Sequence, residues 1–123
     1  MPRASLNWVP DRAEIIFIEH SPHVGKEIPG VHPLLVCSPK IFNERTGIVI
    51  GLPMTHSSQH ATNPFALAVQ GPKAEVGYVL ALQPKSFDWR MRNAKPHAWG
   101  GGHTKVLQHA LKKLDAICGV CNR

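Results

Sequence analysis

No stretch of this chain approaches the roughly 18 apolar residues that a helical membrane span needs, so a transmembrane helix is excluded at the outset. The opening residues, Met1 to Arg12, lack the apolar centre of a secretory leader, and the expected compartment is the cytosol. Cysteine is scarce and odd in number, with Cys37, Cys118 and Cys121 only, which does not describe a disulfide framework. Cys37 lies in an apolar run, where a thiol behaves as a small hydrophobe. Internal repeats and low-complexity segments are missing as well, so no solenoid or array is expected. Acidic side chains are few: 8 against 14 basic ones, giving a net charge of +6. That excess favours an anionic partner, either nucleic acid or an acidic protein, although ordinary solubility needs some net charge too.

What is present describes a folded domain. Hydrophobic residues make up 43% and charged ones 18%, too apolar for a disordered chain. With 123 residues there is material for one domain, its core about 8–118 with short flexible termini. Glu14 to Glu19 is a short β-branched run bounded by charge, the pattern of a buried strand. His23 to Pro33 contains Gly25, Pro29, Gly30 and Pro33 and reads as a loop. Leu34–Cys37 resumes a strand, Ser38-Pro39 breaks it, and Lys40 to Arg45 suffices for one helical turn or a short connection. Ile48 to Met54 is a further buried strand with a kink at Gly51 or Pro53, delivering Thr55 at its end. His56 to Asn63 is polar and expected to be an exposed loop.

Phe65–Val69 and Gly77–Leu82 are strands separated by the turn signal Gly71-Pro72-Lys73, and Lys85 to Arg92 is amphipathic. Five strands at this spacing suggest a small barrel or a strongly bent sheet. After a breaker-rich linker, Pro96 to Gly102, residues His103 to Ile117 have helical period. Val106, Leu107, Ala110, Leu111, Leu114 and Ile117 fall on one face, with Thr104 as a start cap and Gly119 as a stop.

Two runs stand out together. One goes from Pro22-His23-Val24-Gly25-Lys26-Glu27 through His32-Pro33 to Ser38-Pro39; the other goes from Phe42-Asn43 through Thr46-Gly47 to Pro53-Met54-Thr55. Their order and nearly gap-free spacing resemble the MazF/PemK family of toxin ribonucleases. The likeness continues through Pro64-Phe65, Gly77, Gln83 and Lys85-Ser86-x-x-Trp89-Arg90, and covers roughly residues 8 to 118. The resemblance implies a mainly β (α+β) fold: an SH3-like small barrel or bent antiparallel sheet of about five to seven strands with a C-terminal helix, usually a homodimer. It also implies metal-independent cleavage of single-stranded RNA, often mRNA, without a cofactor, and an antitoxin whose acidic tail occupies the RNA groove.

Metal-free RNA cleavage must deprotonate the 2′-hydroxyl, protonate the leaving 5′-oxygen and stabilise a charged phosphorane, tasks for proton-transfer groups flanked by donors or cations. The resemblance assigns catalysis to an Arg before the proline of the second strand and to a Thr after the third. Here the Thr is Thr55, and His32 stands where the Arg is expected. Histidine titrates near neutrality and transfers protons readily, but it lacks the guanidinium fork that grips phosphate. Leu82 occupies a position where many members are acidic, which leaves Glu27 as the local carboxylate in the catalytic set. Lys26, Ser57, Gln83, Lys85, Arg90 and Arg92 form the expected RNA-binding set, with Trp89 as an aromatic on which a base could stack. The bland alternatives are plain: His32 a polar loop residue, Thr55 an ordinary strand end, Trp89 core and Arg90 its neighbour. The spacings His20-x-x-His23, His56-x-x-x-His60 and Cys118-x-x-Cys121 are each half of a metal site at most, and no metal is expected.

Two function classes remain. The first is a toxin endoribonuclease acting at His32 and Thr55. The second is a catalytically impaired binder on the same fold, holding an antitoxin or RNA or inhibiting a protein target such as gyrase, since a fold alone does not specify a function.

Overall fold

The structure, a computed structural model, describes residues 7–22, 24–27 and 30–119. Among these, seven antiparallel strands form one bent sheet, and the long C-terminal helix packs on it. The strands are β1 (Ile15–Glu19), β2 (Val31–Val36), β3 (Ile48–Thr55), β4 (Ala66–Gln70), β5 (Val76–Leu80), β6 (Lys85–Asp88) and β7 (Lys95–Pro96). Their order is β4-β5-β3-β2-β1-β7, with β6 joined to β3. The helices are α1 (Lys40–Thr46) and α2 (Thr104–Cys118), and a 3-10 turn spans Ser58–Thr62.

The apolar run in β1 is nearly continuous because both of its faces are covered. Ile15 enters a core with Leu35, Leu52, Met54, Val79 and, from α2, Leu107 and Ala110. Ile16 and Ile18 enter a second core with Leu34, Val36, Val49, Phe87 and Trp89. β2 begins at Val31, two residues before the proline that the sequence pattern leaves in a loop, because Pro33 is accepted opposite Phe17 in the ladder with β1. The bend of the sheet resides in β3. Its first half pairs with β6 and its middle with β2, and its last two residues pair with β5. Gly51 stands where the partners change. A Cβ there would lie 2.7 Å from the Leu34 side chain and from the Leu35 carbonyl oxygen, so only glycine permits this approach.

α1 is clamped by Asn43, whose side chain is fully buried. Its Nδ2 donates to the carbonyls of Pro10 (2.8 Å) and Ser38 (3.0 Å), and its own carbonyl accepts from Trp89 Nε1 (2.8 Å). Replacing Asn43 by alanine would strand two buried carbonyls and is expected to destabilise the fold by about 2–3 kcal/mol, measurable by urea unfolding. In α2 the expected stop is present: Gly119 is left-handed (φ 71°) and donates to the Asp115 carbonyl. Thr104 is the first helical residue rather than the cap; His103 holds the cap position without a side-chain bond. Burial is confined to the first half of the helix, and Ile117 is 49% exposed. Among the described residues no helix is long and apolar enough to cross a membrane.

Candidate active site at the end of the third strand

The ladder between β2 and β3 pairs Leu34 with Pro53 and Leu35 with Leu52. The paired residues end there; extrapolated by two residues, the same register would set His32 level with Thr55. His32 is half-buried, and its ring meets the ring of His20 edge-on at 6.2 Å. Burial holds the His32 imidazole below its ordinary pKa; the charge of His56 pushes the same way and the Glu19 carboxylate pulls back. Thr55 Oγ1 accepts the Ser57 amide at 3.2 Å, which curls the chain as it leaves the strand.

The loop at Val24–Glu27 is drawn onto this end of the sheet by two contacts. Glu27 Oε2 pairs with Lys85 Nζ at 3.1 Å while Oε1 accepts the Val24 amide at 2.9 Å. Gln83 Nε2 donates to the Lys26 carbonyl at 3.3 Å, and its own buried Oε1 has no partner among the described residues. A groove of about 490 Å³ opens beside Thr55, with Lys26, Ser57, Leu82 and Gln83 in its wall. Lys26, Thr55, Ser57 and Gln83 are thus brought together from three segments, and the Glu27–Lys85 pair joins the same loop to β6.

The two arginines go elsewhere. Arg92 Nη1 donates to the carbonyls of Glu19 (3.0 Å) and Ser21 (2.7 Å), and its guanidinium lies over Phe87, bracing the end of β1. Arg90 is exposed, stacks over Trp89 at 4.1 Å on the α1 side, and does not line the groove. Trp89 itself is buried and hydrogen-bonded, which makes it core rather than a platform for a base.

Two histidines that the sequence offers only as halves of metal pairs lie next to these residues. His20 is buried beneath His32, against Phe87 at 5.0 Å, and neither ring nitrogen has a partner among the described residues. Burial, helped by the charges of His32 and Lys85, lowers its pKa to about 4. His56 directly follows Thr55 and packs edge-on against Trp99 at 5.8 Å. The adjacency of His56 to Thr55 was visible in the sequence; the position of His20 under His32 was not. No group of three His, Cys, Asp or Glu residues among those described could hold a metal ion. The partners in two of the spaced pairs, His23 and Cys121, lie outside the described residues.

Residues 11–117 match the family model described as PemK-like, MazF-like toxin of type II toxin-antitoxin system. The chain belongs to the MazF/PemK family. It is 36% identical over 112 residues to the endoribonuclease toxin MazF of Escherichia coli K12, covering 91% of this chain and 96% of that one. The endoribonuclease PemK of Escherichia coli is 31% identical over 87 residues, covering 69% of this chain and 65% of PemK. Among solved structures, MazF of Deinococcus radiodurans superposes with a TM-score of 0.82 at 30% identity, over 93% of this chain and 100% of that one. MazF in a MazE–MazF complex of the same organism gives 0.74 at 27% identity, covering 92% and 98%. The MazF/PemK fold expected from the motifs, a bent antiparallel sheet with a C-terminal helix, is therefore the fold observed.

Proposed function

We propose that this chain is the toxin of a type II toxin–antitoxin pair and that it cleaves single-stranded RNA, mRNA in particular, by metal-independent transesterification. The observation that carries the reading is the groove beside Thr55, walled by Lys26, Ser57 and Gln83, with His32 on the strand that neighbours the one ending at Thr55. The reaction assigns one task to each group. His32, kept neutral by its surroundings, accepts the 2′-hydroxyl proton as the 2′-oxygen attacks phosphorus. The Thr55 hydroxyl donates to a phosphorane oxygen, and Lys26 and Lys85 supply positive charge to the phosphates. Glu27 acts through Lys85, holding that ammonium and the loop in place. Gln83 and Ser57 contact the RNA strand in the groove, which Arg90 and Arg92 do not line.

An antitoxin partner is supported by the Deinococcus radiodurans structures at 27% identity, which are MazE–MazF complexes; a cytoplasmic homodimer is part of the same proposal. A net charge of +6 suits an acidic antitoxin tail as well as it suits RNA. Purified protein incubated with long single-stranded RNA in EDTA is expected to produce fragments ending in a 2′,3′-cyclic phosphate or its hydrolysis product. Absence of cleavage across pH 5 to 9, with tight binding of RNA or of an acidic peptide, would instead establish a non-catalytic binder.

A further inference from the structure

The groove beside Thr55 is also lined by His60, Asn63, Leu80 and Leu82, to which the reaction above assigns no task. His60 is half-buried in the 3-10 turn that follows β3, and it is fastened twice. In the backbone, its amide donates to the Ser57 carbonyl at 3.2 Å and its carbonyl accepts the Asn63 amide at 3.1 Å. In the side chain, Asn63 holds the ring. Asn63 Oδ1 accepts the Phe65 amide at 2.9 Å, so Nδ2 is the atom turned towards His60 Nδ1, at 3.4 Å. An amide nitrogen only donates; Nδ1 of His60 is therefore the acceptor, and the ring proton sits on Nε2. The nitrogen that Asn63 leaves to the groove is thus an N–H donor. The same groove presents an apolar side chain, Leu82, which is 45% exposed and stands where the family resemblance expects an acid.

We infer that His60 and Leu82 form a nucleobase subsite in this groove, in which His60 selects a keto base. This assignment rests on the ribonuclease reading and deepens it. Phosphates are held by cations such as Lys26, whereas an apolar side chain covers the face of a base and a fixed N–H meets its edge. Uracil and guanine carry a carbonyl oxygen on the edge away from the sugar; cytosine and adenine carry an amino group at the same place. The Nε2–H of His60 bonds the carbonyl oxygen. It meets the amino group donor to donor, which leaves both groups unsatisfied. The result is a preference at one nucleotide position for uracil over cytosine, or for guanine over adenine, of about 10-fold. An acid at position 82 would accept from an amino group and favour the opposite bases. Leucine at position 82 and the tautomer that Asn63 imposes on His60 therefore act in the same direction.

The experiment reads a ratio, which a general loss of activity does not move. RNA of randomised sequence is cut by the native protein and the ends are sequenced to find the position with the keto preference. Oligoribonucleotides differing only in that base are then compared by kcat/KM. The native protein is expected to favour the keto base about 10-fold, and His60→Ala to bring the ratio within about 2-fold of unity. Asn63→Ala, which frees the tautomer, should lower the ratio part of the way. His60→Glu puts an acceptor in place of the donor and should reverse the preference towards the amino base. A His60 that only fastened the turn would lower the melting temperature and slow both oligonucleotides alike. A ratio unchanged in His60→Ala, or a native protein with no keto preference at any position, would overturn the subsite while leaving the ribonuclease intact. Native protein that cuts no RNA would overturn the ribonuclease reading. The subsite is then decided by binding: oligo(U) held more tightly than oligo(C), with the difference lost in His60→Ala, supports it, and equal affinities overturn it.

Discussion

Replacing His32 by alanine is expected to lower kcat/KM for RNA cleavage by about 100- to 10,000-fold, the range over which a positioned proton-transfer group contributes. The native profile should also carry an acid limb. His32 acts as a base only when neutral, and its pKa lies below the ordinary 6.5, so activity is full at pH 7.5 and falls as pH drops through its pKa. His32→Arg separates grip from proton transfer. A guanidinium there grips phosphate bidentately but does not titrate, so cleavage by this variant should no longer decline between pH 7 and pH 5. Single-turnover rates on a mapped oligonucleotide measure both effects. Native cleavage by His32→Ala, or an unchanged acid limb in His32→Arg, would remove His32 from the mechanism.

Acidification is expected to weaken the fold itself through His20. Its folded-state pKa, about 4, lies below the ordinary 6.5 of the unfolded chain. Above pH 6.5 both states are neutral there and nothing is lost. As pH falls, the unfolded chain binds a proton that the native state refuses, and stability drops until the native imidazole titrates as well. At about 1.4 kcal/mol per pKa unit, the loss from pH 6.5 to pH 4 is about 3 kcal/mol. His20→Phe removes the titration and two buried, unpartnered nitrogens while keeping an aromatic ring against Phe87. Urea unfolding at pH 7.5 and pH 4.5 should show a steep loss for the native chain and a shallow one for this variant. Equal losses in both would show that His20 is not the titrating group. The same orphan nitrogens mark His20 as a residue retained at some cost to stability, as polar groups beside an active site often are.

Local pattern in the sequence carried much of this. β-branching and charge boundaries locate β1 and β3, helical period and Gly119 locate α2, and the ordered Pro, Gly and Ser-Pro positions point to the family. These signals were legible because each is decided within a few residues, by sterics or by periodic burial. The residues at the site were legible as a set but not as roles. Arg90 and Arg92 look equivalent in the sequence, yet only the fold aims Arg92 at the carbonyls of Glu19 and Ser21 and stacks Arg90 over Trp89. Trp89 could be a platform or core until its Nε1 was found on the Asn43 carbonyl.

What the sequence determined by itself was the family, the first five strands in their order along the chain and the presence of His32 where an arginine is expected. Tertiary structure alone decided that His20 lies beneath His32 with no ring-nitrogen partner among the described residues, and that Lys26, Thr55, Ser57 and Gln83 wall one groove. The physical reason is the range of each effect. Strand and helix signals repeat every two to four residues, whereas the chemistry here depends on strand register and on burial, which are set by contacts between segments far apart in the chain.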